Sequence, residues 1–160
     1  PTALDETYKA LPELLPNFRY KLGQGDLKAA IQNTVERFRR QTGMATELAF
    51  SQGVGAPLAP EQQLQVLFIL QEALSNVRKH SEADRVDVVV RNDRDFNLLI
   101  ADNGQGYDPD EVAQRGEAHV GLHIMRERAA RMHALITMKS RPGGGTRIAL
   151  TLPDAERQAA

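Results

Sequence analysis

Four short segments of this 160-residue chain carry residue types whose spacing could do chemistry. The first is Glu72-x-x-x-Asn76-x-x-Lys79-His80. On a helical wheel stepped at about 100° per residue, Leu67, Leu70, Leu74 and Val77 share one arc. Glu72, Asn76 and Lys79 cluster on the opposite side, with His80 beside them. A solvated outer face is the plain reading of such a cluster. Two features point further. Val66 to Leu70 is an unbroken apolar run, so this helix is wrapped on more than one side, and Asn76 carries no charge to keep it in water. The amide oxygen of Asn76 can bind a hard cation beside phosphates. Glu72, one turn earlier, could accept a proton or hold a water.

The second segment, Asp102-Asn-Gly-Gln-Gly106, follows directly on an apolar strand. Gly104 and Gly106 would let backbone approach a planar ligand closely, and Asp102 offers an acceptor for an exocyclic amine; an ordinary turn is the alternative. The third is His119-Val-Gly121-Leu122, read as the start of a helix over Gly121 to Met132. A helix start exposes backbone N–H groups, and its dipole favours phosphate. Arg126 and Arg128 would add positive charge there or simply face water. The fourth is Gly143-Gly-Gly145-Thr146, a flexible hairpin or a threonine hydroxyl serving a ligand at the sheet edge. No G-x-x-x-x-G-K-[ST] occurs, and no G-x-G-x-x-G opens a helix, so a P-loop and a dinucleotide fingerprint are both excluded.

The elements that must position these segments follow from periodicity. Leu4 to Leu22 is apolar at helical spacing but interrupted by Pro12 and Pro16, which predicts a kinked or short helix. Asp26 reads as the N-cap of a helix to about Gln41, with Gly43 as its left-handed stop. A short strand over Thr46 to Phe50 and a Gly/Pro loop from Gly53 lead to a long helix, Pro60 to His80. Val86 to Val90 and Phe96 to Ala101 read as strands joined by a polar turn, Asp102 to His119 as glycine-bearing loop. Strands over Leu135 to Lys139 and Thr146 to Leu152 close the pattern. The order predicts an α/β (α+β) two-layer sandwich, a mixed sheet covered by helices on one face.

Composition narrows the classes. The formal net charge is -1, without the basic excess that phosphate neutralisation demands, so no nucleic-acid partner is expected. There is no cysteine, hence no disulfide framework, thiolate zinc site or cysteine nucleophile. No apolar run approaches the ~18 residues of a membrane span. The chain opens on Pro1, which reads as an excised piece of something longer.

Taken in order, Glu72-x-x-x-Asn76-x-x-Lys79-His80, Asp102-x-Gly104-x-Gly106, Gly121-Leu122 and Gly144-Gly145-Thr146 resemble the N, G1, G2 and glycine–Thr boxes of the histidine-kinase ATP-binding domain. Its Bergerat fold is shared with the gyrase and MutL ATPases. The wording QEALSNVRKHSEA, DNGQGYDP, GLHIMRERAARM and GGGTRIALTLP is most similar to the nitrate/nitrite sensor kinases of the NarX/NarQ type, over about residues 26 to 153. The resemblance implies ATP and Mg²⁺ as ligands. Asp102 would bind the adenine amino group with support from Thr146, beside Gly104, Gly106 and Gly145. Asn76 would ligate Mg²⁺, and Lys79 and His80 would lie near phosphate or ribose. Gly121 and Leu122 would end a lid spanning about Asp108 to Val120, and Arg126 would add a phosphate contact. Glu72 matches the water-activating position of the gyrase-like ATPases, and in a kinase could instead orient the acceptor histidine.

The resemblance also sets an organisation: residues 1–22 as the remnant of a dimerisation helix and linker, 23–155 as the catalytic domain, 156–160 as a tail. His80, His119, His123 and His133 all fall in nucleotide-domain segments and none stands in an H-D/E acceptor motif. The phosphoacceptor would therefore lie upstream, on dimerisation helices of a homodimeric, inner-membrane parent with this portion in the cytoplasm, serving a response regulator. Alone, the chain is expected to be monomeric and unable to phosphorylate itself. Two other readings stay open: a serine kinase of the anti-sigma type on the same fold, and an interaction module with a degenerate nucleotide site.

Overall fold

A computed structural model describes residues 27–108, 110 and 116–158. The kinked helix over Leu4 to Leu22, the 1–22 remnant, the Asp26 cap and most of the Asp108–Val120 lid lie outside the described residues.

The first helix, α1 (Leu27–Thr42), buries Leu27, Ile31, Val35 and Phe38, a stripe spaced four, four and three residues apart. Arg39 and Arg40 fall in its last turn, where the dipole favours cations. Gly43 then turns left-handed (φ +68°) and donates its N–H to the Arg39 carbonyl at 2.9 Å, ending the helix as expected. Strand β1 is Ala45–Gln52.

Helix α2 (Pro60–Asn76) is the central one. Pro60 opens its first turn, and the Gln62 side chain accepts the Ala59 N–H at 3.0 Å. It buries Leu64, Val66, Leu67, Ile69, Leu70, Ala73 and Leu74, a wide arc matching the apolar run in its sequence. From Val77 to Ser81 the helix widens into a π turn. Ser81 Oγ donates back to the Val77 carbonyl at 2.6 Å and receives the Ala83 N–H, drawing the chain out of the α ladder. Glu82, left-handed at φ 53°, stops it.

Strands β2 (Arg85–Asn92) and β3 (Phe96–Asp102) follow, then helix α3 (Glu117–Arg131), strands β4 (Leu135–Ser140) and β5 (Thr146–Leu152), and the short helix α4 (Asp154–Gln158). The sheet order is β1-β2-β3-β5-β4, with β1 and β2 parallel and the other neighbours antiparallel. Val86, Val88 and Val90, Leu98 and Ile100, and Ile148, Leu150 and Leu152 point alternately to one face, where they form a single core with α1, α2 and α3. The architecture is the expected mixed sheet with helices on one face.

One boundary corrects the sequence reading. Helix α3 starts at Glu117, with Gly116 (φ +101°) at its N-cap, four residues before the expected Gly121. Gly121 is thus in the second turn. The backbone N–H groups a helix leaves open are those of its first turn, so Gly121 is not an anion-binding helix start. Leu122 is likewise core, at 6% exposure.

Candidate functional site

The residues singled out at the end of α2 and the end of β3 meet across one pocket. Asn76, His80, Ser81, Asp102 and Thr146 supply its polar lining, and Ala73, Val77, Ile100 and Ile148 its apolar walls. Gly106 and Tyr107 complete it. The topology explains the meeting. Asp102 and Thr146 are paired across antiparallel β3 and β5, and β3 lies beside β2, which emerges directly from the turn ending α2.

The loop after β3 is tied to the end of α2 by backbone and side chain alike. Gln105 donates its N–H to the Ser81 carbonyl and its Nε2 to the His80 carbonyl, each at 2.7 Å. Asn103 Oδ1 accepts the Asp84 and Arg85 N–H groups. Gly104 is pressed so closely on this turn that a Cβ there would stand 2.2 Å from the Ser81 carbonyl oxygen. Gly104→Ala must therefore move backbone against backbone. It is expected to destabilise the fold by about 1–3 kcal/mol, read as a lowered midpoint in chemical denaturation; an unchanged midpoint would refute the close approach. Gly106 is left-handed (φ +62°), with its Cα against the Arg141 carbonyl, a position that only glycine occupies without strain.

Two polar residues outside the candidate set, Ser140 and Tyr107, hold the far wall. Ser140 Oγ accepts the Tyr107 N–H at 3.0 Å, donates to the Gly145 carbonyl at 3.1 Å, and shares a 2.8 Å hydrogen bond with Thr146 Oγ1. The Thr146 hydroxyl is thus engaged by Ser140, while its backbone N–H faces the Asp102 carboxylate. The Tyr107 phenol bonds Met138 Sδ and lies within electrostatic reach of Asp102 and Arg126. Gly145 stays outside the lining, wedged against the Asp102 carbonyl.

Asp102 Oδ1 accepts the Gly104 N–H at 2.8 Å. Burial raises the pKa of this carboxyl, opposed in part by the Gly104 and Thr146 N–H groups, which favour the charged form. Burial together with the Asp102 charge also raises the Tyr107 phenol, and Arg126 opposes the shift.

Glu72 does not line the pocket but stands just behind it. A Cβ on Gly121 would lie 2.8 Å from Glu72 Oε1 and 3.0 Å from both amide atoms of Asn76, so α3 crosses α2 over these two side chains. Burial raises the Glu72 pKa against the pull of Lys79 and Arg128. A raised folded-state pKa means that folding favours the protonated acid: the stabilisation is complete at low pH and is lost as pH climbs through the folded value. Glu72→Gln is accordingly expected to melt at or above the parent temperature at pH 7, the difference closing as the solution is acidified. A lower melting point for the glutamine variant at pH 7 would reverse the sign. Lys79 is exposed on the π turn, and Arg126 is exposed on α3 near the Tyr107 side of the pocket.

Two hard-oxygen donors, Asn76 Oδ1 in the pocket lining and Glu72 Oε1 behind it, therefore both face Gly121 of α3. Mg²⁺ is commonly held by one or two such protein oxygens together with ligand phosphates and water, so the donor set fits that cation. Among the described residues no group of three His, Cys, Asp or Glu could hold a metal by itself.

Comparisons with known proteins converge. The profile of the family described as "Histidine kinase-, DNA gyrase B-, and HSP90-like ATPase" matches residues 61–156. The nitrate/nitrite sensor protein NarQ of Escherichia coli (strain K12) is 36% identical over 157 residues, 96% of this chain and 27% of NarQ. NarX of the same organism is 33% identical over 150 residues, 92% of this chain and 24% of NarX. The signal transduction histidine-protein kinase/phosphatase DegS of Bacillus subtilis is 37% identical over 97 residues, 60% of this chain and 25% of DegS. The chain spans about a quarter of the length of these relatives. Among solved structures, the histidine kinase domain of the Erythrobacter litoralis EL346 blue-light activated histidine kinase superposes with a TM-score of 0.64 at 19% identity, covering 83% of this chain and 67% of that one. The likeness fixes the fold.

Proposed function

Because the chain belongs to the histidine kinase-, DNA gyrase B- and HSP90-like ATPase family, we propose that it is the ATP-binding catalytic domain of a two-component sensor histidine kinase, of the nitrate/nitrite type. The observation that carries the reading is the opposition, across one pocket, of the Asp102 carboxylate and the Asn76 carboxamide. Asp102 would accept the adenine amine while Ile100, Ile148, Ala73 and Val77 supply apolar walls for the purine. Gly106 leaves room for the ring edge. Asn76, with Glu72 behind it, would hold Mg²⁺, which supplies charge neutralisation on the triphosphate. His80 in the pocket lining, with the exposed Lys79 and Arg126, would meet ribose or phosphates.

The chemistry this supports is transfer of the γ-phosphoryl group to a ring nitrogen of a histidine carried on dimerisation helices outside this chain, with ADP leaving. A loose, in-line transfer asks of the protein mainly positioning and electrostatic stabilisation, and the pocket offers those rather than a nucleophile. Glu72 would orient the incoming imidazole rather than activate a water. The partners of the longer protein would be a second copy, through those helices, and a response regulator. NarQ and NarX are named as nitrate/nitrite sensor proteins, and the nitrate assignment and a membrane-bound parent rest on likeness to them. No helix among the described residues is long and apolar enough to cross a membrane.

The test is calorimetric titration of ATP into the chain with and without Mg²⁺. The parent is expected to bind more tightly with the cation. Asn76→Ala should erase that increment, about tenfold or more, while leaving the cation-free affinity in place. Equal Mg²⁺ dependence in both proteins would remove Asn76 from the metal. A parent chain that binds no adenine nucleotide would overturn the whole reading.

A further inference from the structure

Directly opposed residues of neighbouring strands share a face, and one registered row ends the sheet beside the pocket. It runs Asp102, Thr146, Ser140 across β3-β5-β4: a carboxylate, a hydroxyl and a second hydroxyl. Asp102 and Thr146 line the pocket, and Ser140 stands behind Thr146, outside the lining. What the Thr146 hydroxyl can offer follows from counting hydrogens. A serine hydroxyl has one hydrogen to give and two lone pairs to accept with. Three groups reach Ser140 Oγ: the Tyr107 N–H at 3.0 Å, the Gly145 carbonyl at 3.1 Å and Thr146 Oγ1 at 2.8 Å. The Tyr107 N–H can only donate, so it takes one lone pair. The Gly145 carbonyl can only accept. Gly145 is buried, and its carbonyl has no other hydrogen-bond donor among the described residues. A buried acceptor left without a donor is costly, so Ser140 gives its one hydrogen to Gly145. The lone pair that remains on Ser140 takes the hydrogen of Thr146, which has no other hydroxyl partner among the described residues.

Given the nucleotide site proposed above, we propose that Ser140 is a positioning residue that sets base specificity. By holding the Thr146 hydrogen it turns that hydroxyl into a pure acceptor, and the pocket then selects a base with an exocyclic amine over one with a carbonyl in its place. Thr146 Oγ1 has only lone pairs left for the pocket, and Asp102, paired with it across β3 and β5, adds a carboxylate. Ser81, the other hydroxyl in the lining, gives its hydrogen to the Val77 carbonyl. An amine brings two hydrogens to the two acceptors of the row. A carbonyl would set lone pairs against lone pairs. A threonine whose hydrogen were free to turn would serve both groups, accepting from the amine or donating to the carbonyl. Ser140 removes the second option without touching the ligand. It also ties the chain on either side of that hydroxyl, through Tyr107 in the loop after β3 and Gly145 in the β4–β5 turn, so the hydroxyl cannot rotate without breaking bonds elsewhere.

Calorimetric titration of the full chain with ATP and with ITP, in which a carbonyl replaces the adenine amine, tests it at fixed Mg²⁺. The parent is expected to prefer ATP. Ser140→Ala should narrow the ATP-to-ITP affinity ratio about tenfold, since ATP loses an obligate acceptor and ITP gains a donor. Any loosening of the Tyr107 and Gly145 ties weakens both nucleotides alike and divides out of the ratio. Ser140→Thr keeps the hydroxyl and should keep the parent ratio. With Thr146→Val already in place, no hydroxyl remains to be oriented, and adding Ser140→Ala should leave the ratio as it is. If far-UV circular dichroism shows that Ser140→Ala does not fold, Ser140→Cys, with a thiol that bonds weakly, decides in its place. A Ser140→Ala ratio equal to the parent's makes Ser140 a structural tie alone and overturns the proposal. So does a ratio that Ser140→Ala still narrows beside valine at 146, or a parent that binds ATP and ITP alike. A parent that binds neither nucleotide is a different failure: it removes the nucleotide site, and this inference with it.

Discussion

Asp102→Asn is expected to bind ATP about 10- to 100-fold more weakly than the parent, the loss of one hydrogen bond to a charged group. The size follows from counting donors. Asp102 Oδ1 already accepts the Gly104 N–H at 2.8 Å, the Thr146 N–H also faces the carboxylate, and an adenine amine would bring a third donor. A carboxylate has two oxygens to answer them; a carboxamide has one oxygen and one NH₂. Turned either way, asparagine sets its NH₂ against at least one of these N–H groups and forfeits that bond. Because the proposed preference for adenine over guanine rests on the forfeited acceptor, GTP and ATP should approach equal affinity in the variant. Calorimetric titration of both nucleotides decides it, and an unchanged ATP affinity would place the base elsewhere.

The same carboxyl gives a pH signature. Burial raises its pKa, so protonation begins in milder acid than for an exposed aspartate, and the protonated acid has lost an acceptor. ATP affinity of the parent is expected to fall as pH drops towards that raised value, more steeply than in Asp102→Asn. The nucleotide's own phosphate titration is common to both proteins and cancels in the comparison. Parallel curves would dissociate Asp102 from the effect.

These two ends of the pocket were visible in the sequence because each closes a periodic element. Asn76 stands opposite the apolar arc at the C-terminal end of α2, and Asp102 ends an apolar strand. A period says what faces the core, and a polar residue that breaks off such a period invites a chemical reading. The ties that fix the pocket carry no such mark. Ser140 ends β4 as an unremarkable hydroxyl, and only the β4–β5 register, which sets it opposite Thr146, shows that it binds Tyr107, Gly145 and Thr146 at once. Gln105 sits in a loop, and its grip on the His80 carbonyl spans 25 residues. The π turn over Val77–Ser81 depends on a single hydroxyl back-bond, a local choice that helical periodicity averages away. Helix α3 was misplaced for a different reason. Glycine usually marks a helix end, so Gly121 was read as one, whereas the pressure that keeps it small comes from α2, which no local pattern reports.

That same pressure makes Gly121→Ala the sharpest test of how the helix crossing serves the site. Within a helix, alanine is favoured over glycine by about 1 kcal/mol, so on propensity alone the variant should be the more stable protein. The added methyl, however, would meet Glu72 Oε1 at 2.8 Å and the Asn76 amide atoms at 3.0 Å. All three are ends of side chains that can swing aside, so the fold need not give way. The strain passes instead into the Glu72 and Asn76 side chains, whose oxygens are proposed to hold the cation. The expected outcome is a melting temperature equal to or above the parent's, together with Mg²⁺-dependent ATP affinity reduced about 10- to 100-fold, because sub-ångström placement of the ligand oxygens is lost. Cation-free nucleotide binding, governed by Asp102 across the pocket, should change little. A variant that loses stability and binding in proportion would show that Gly121 serves only the packing of α3 on α2. One that keeps full Mg²⁺-dependent binding would show that Asn76 and Glu72 tolerate displacement, and that the cation is held elsewhere.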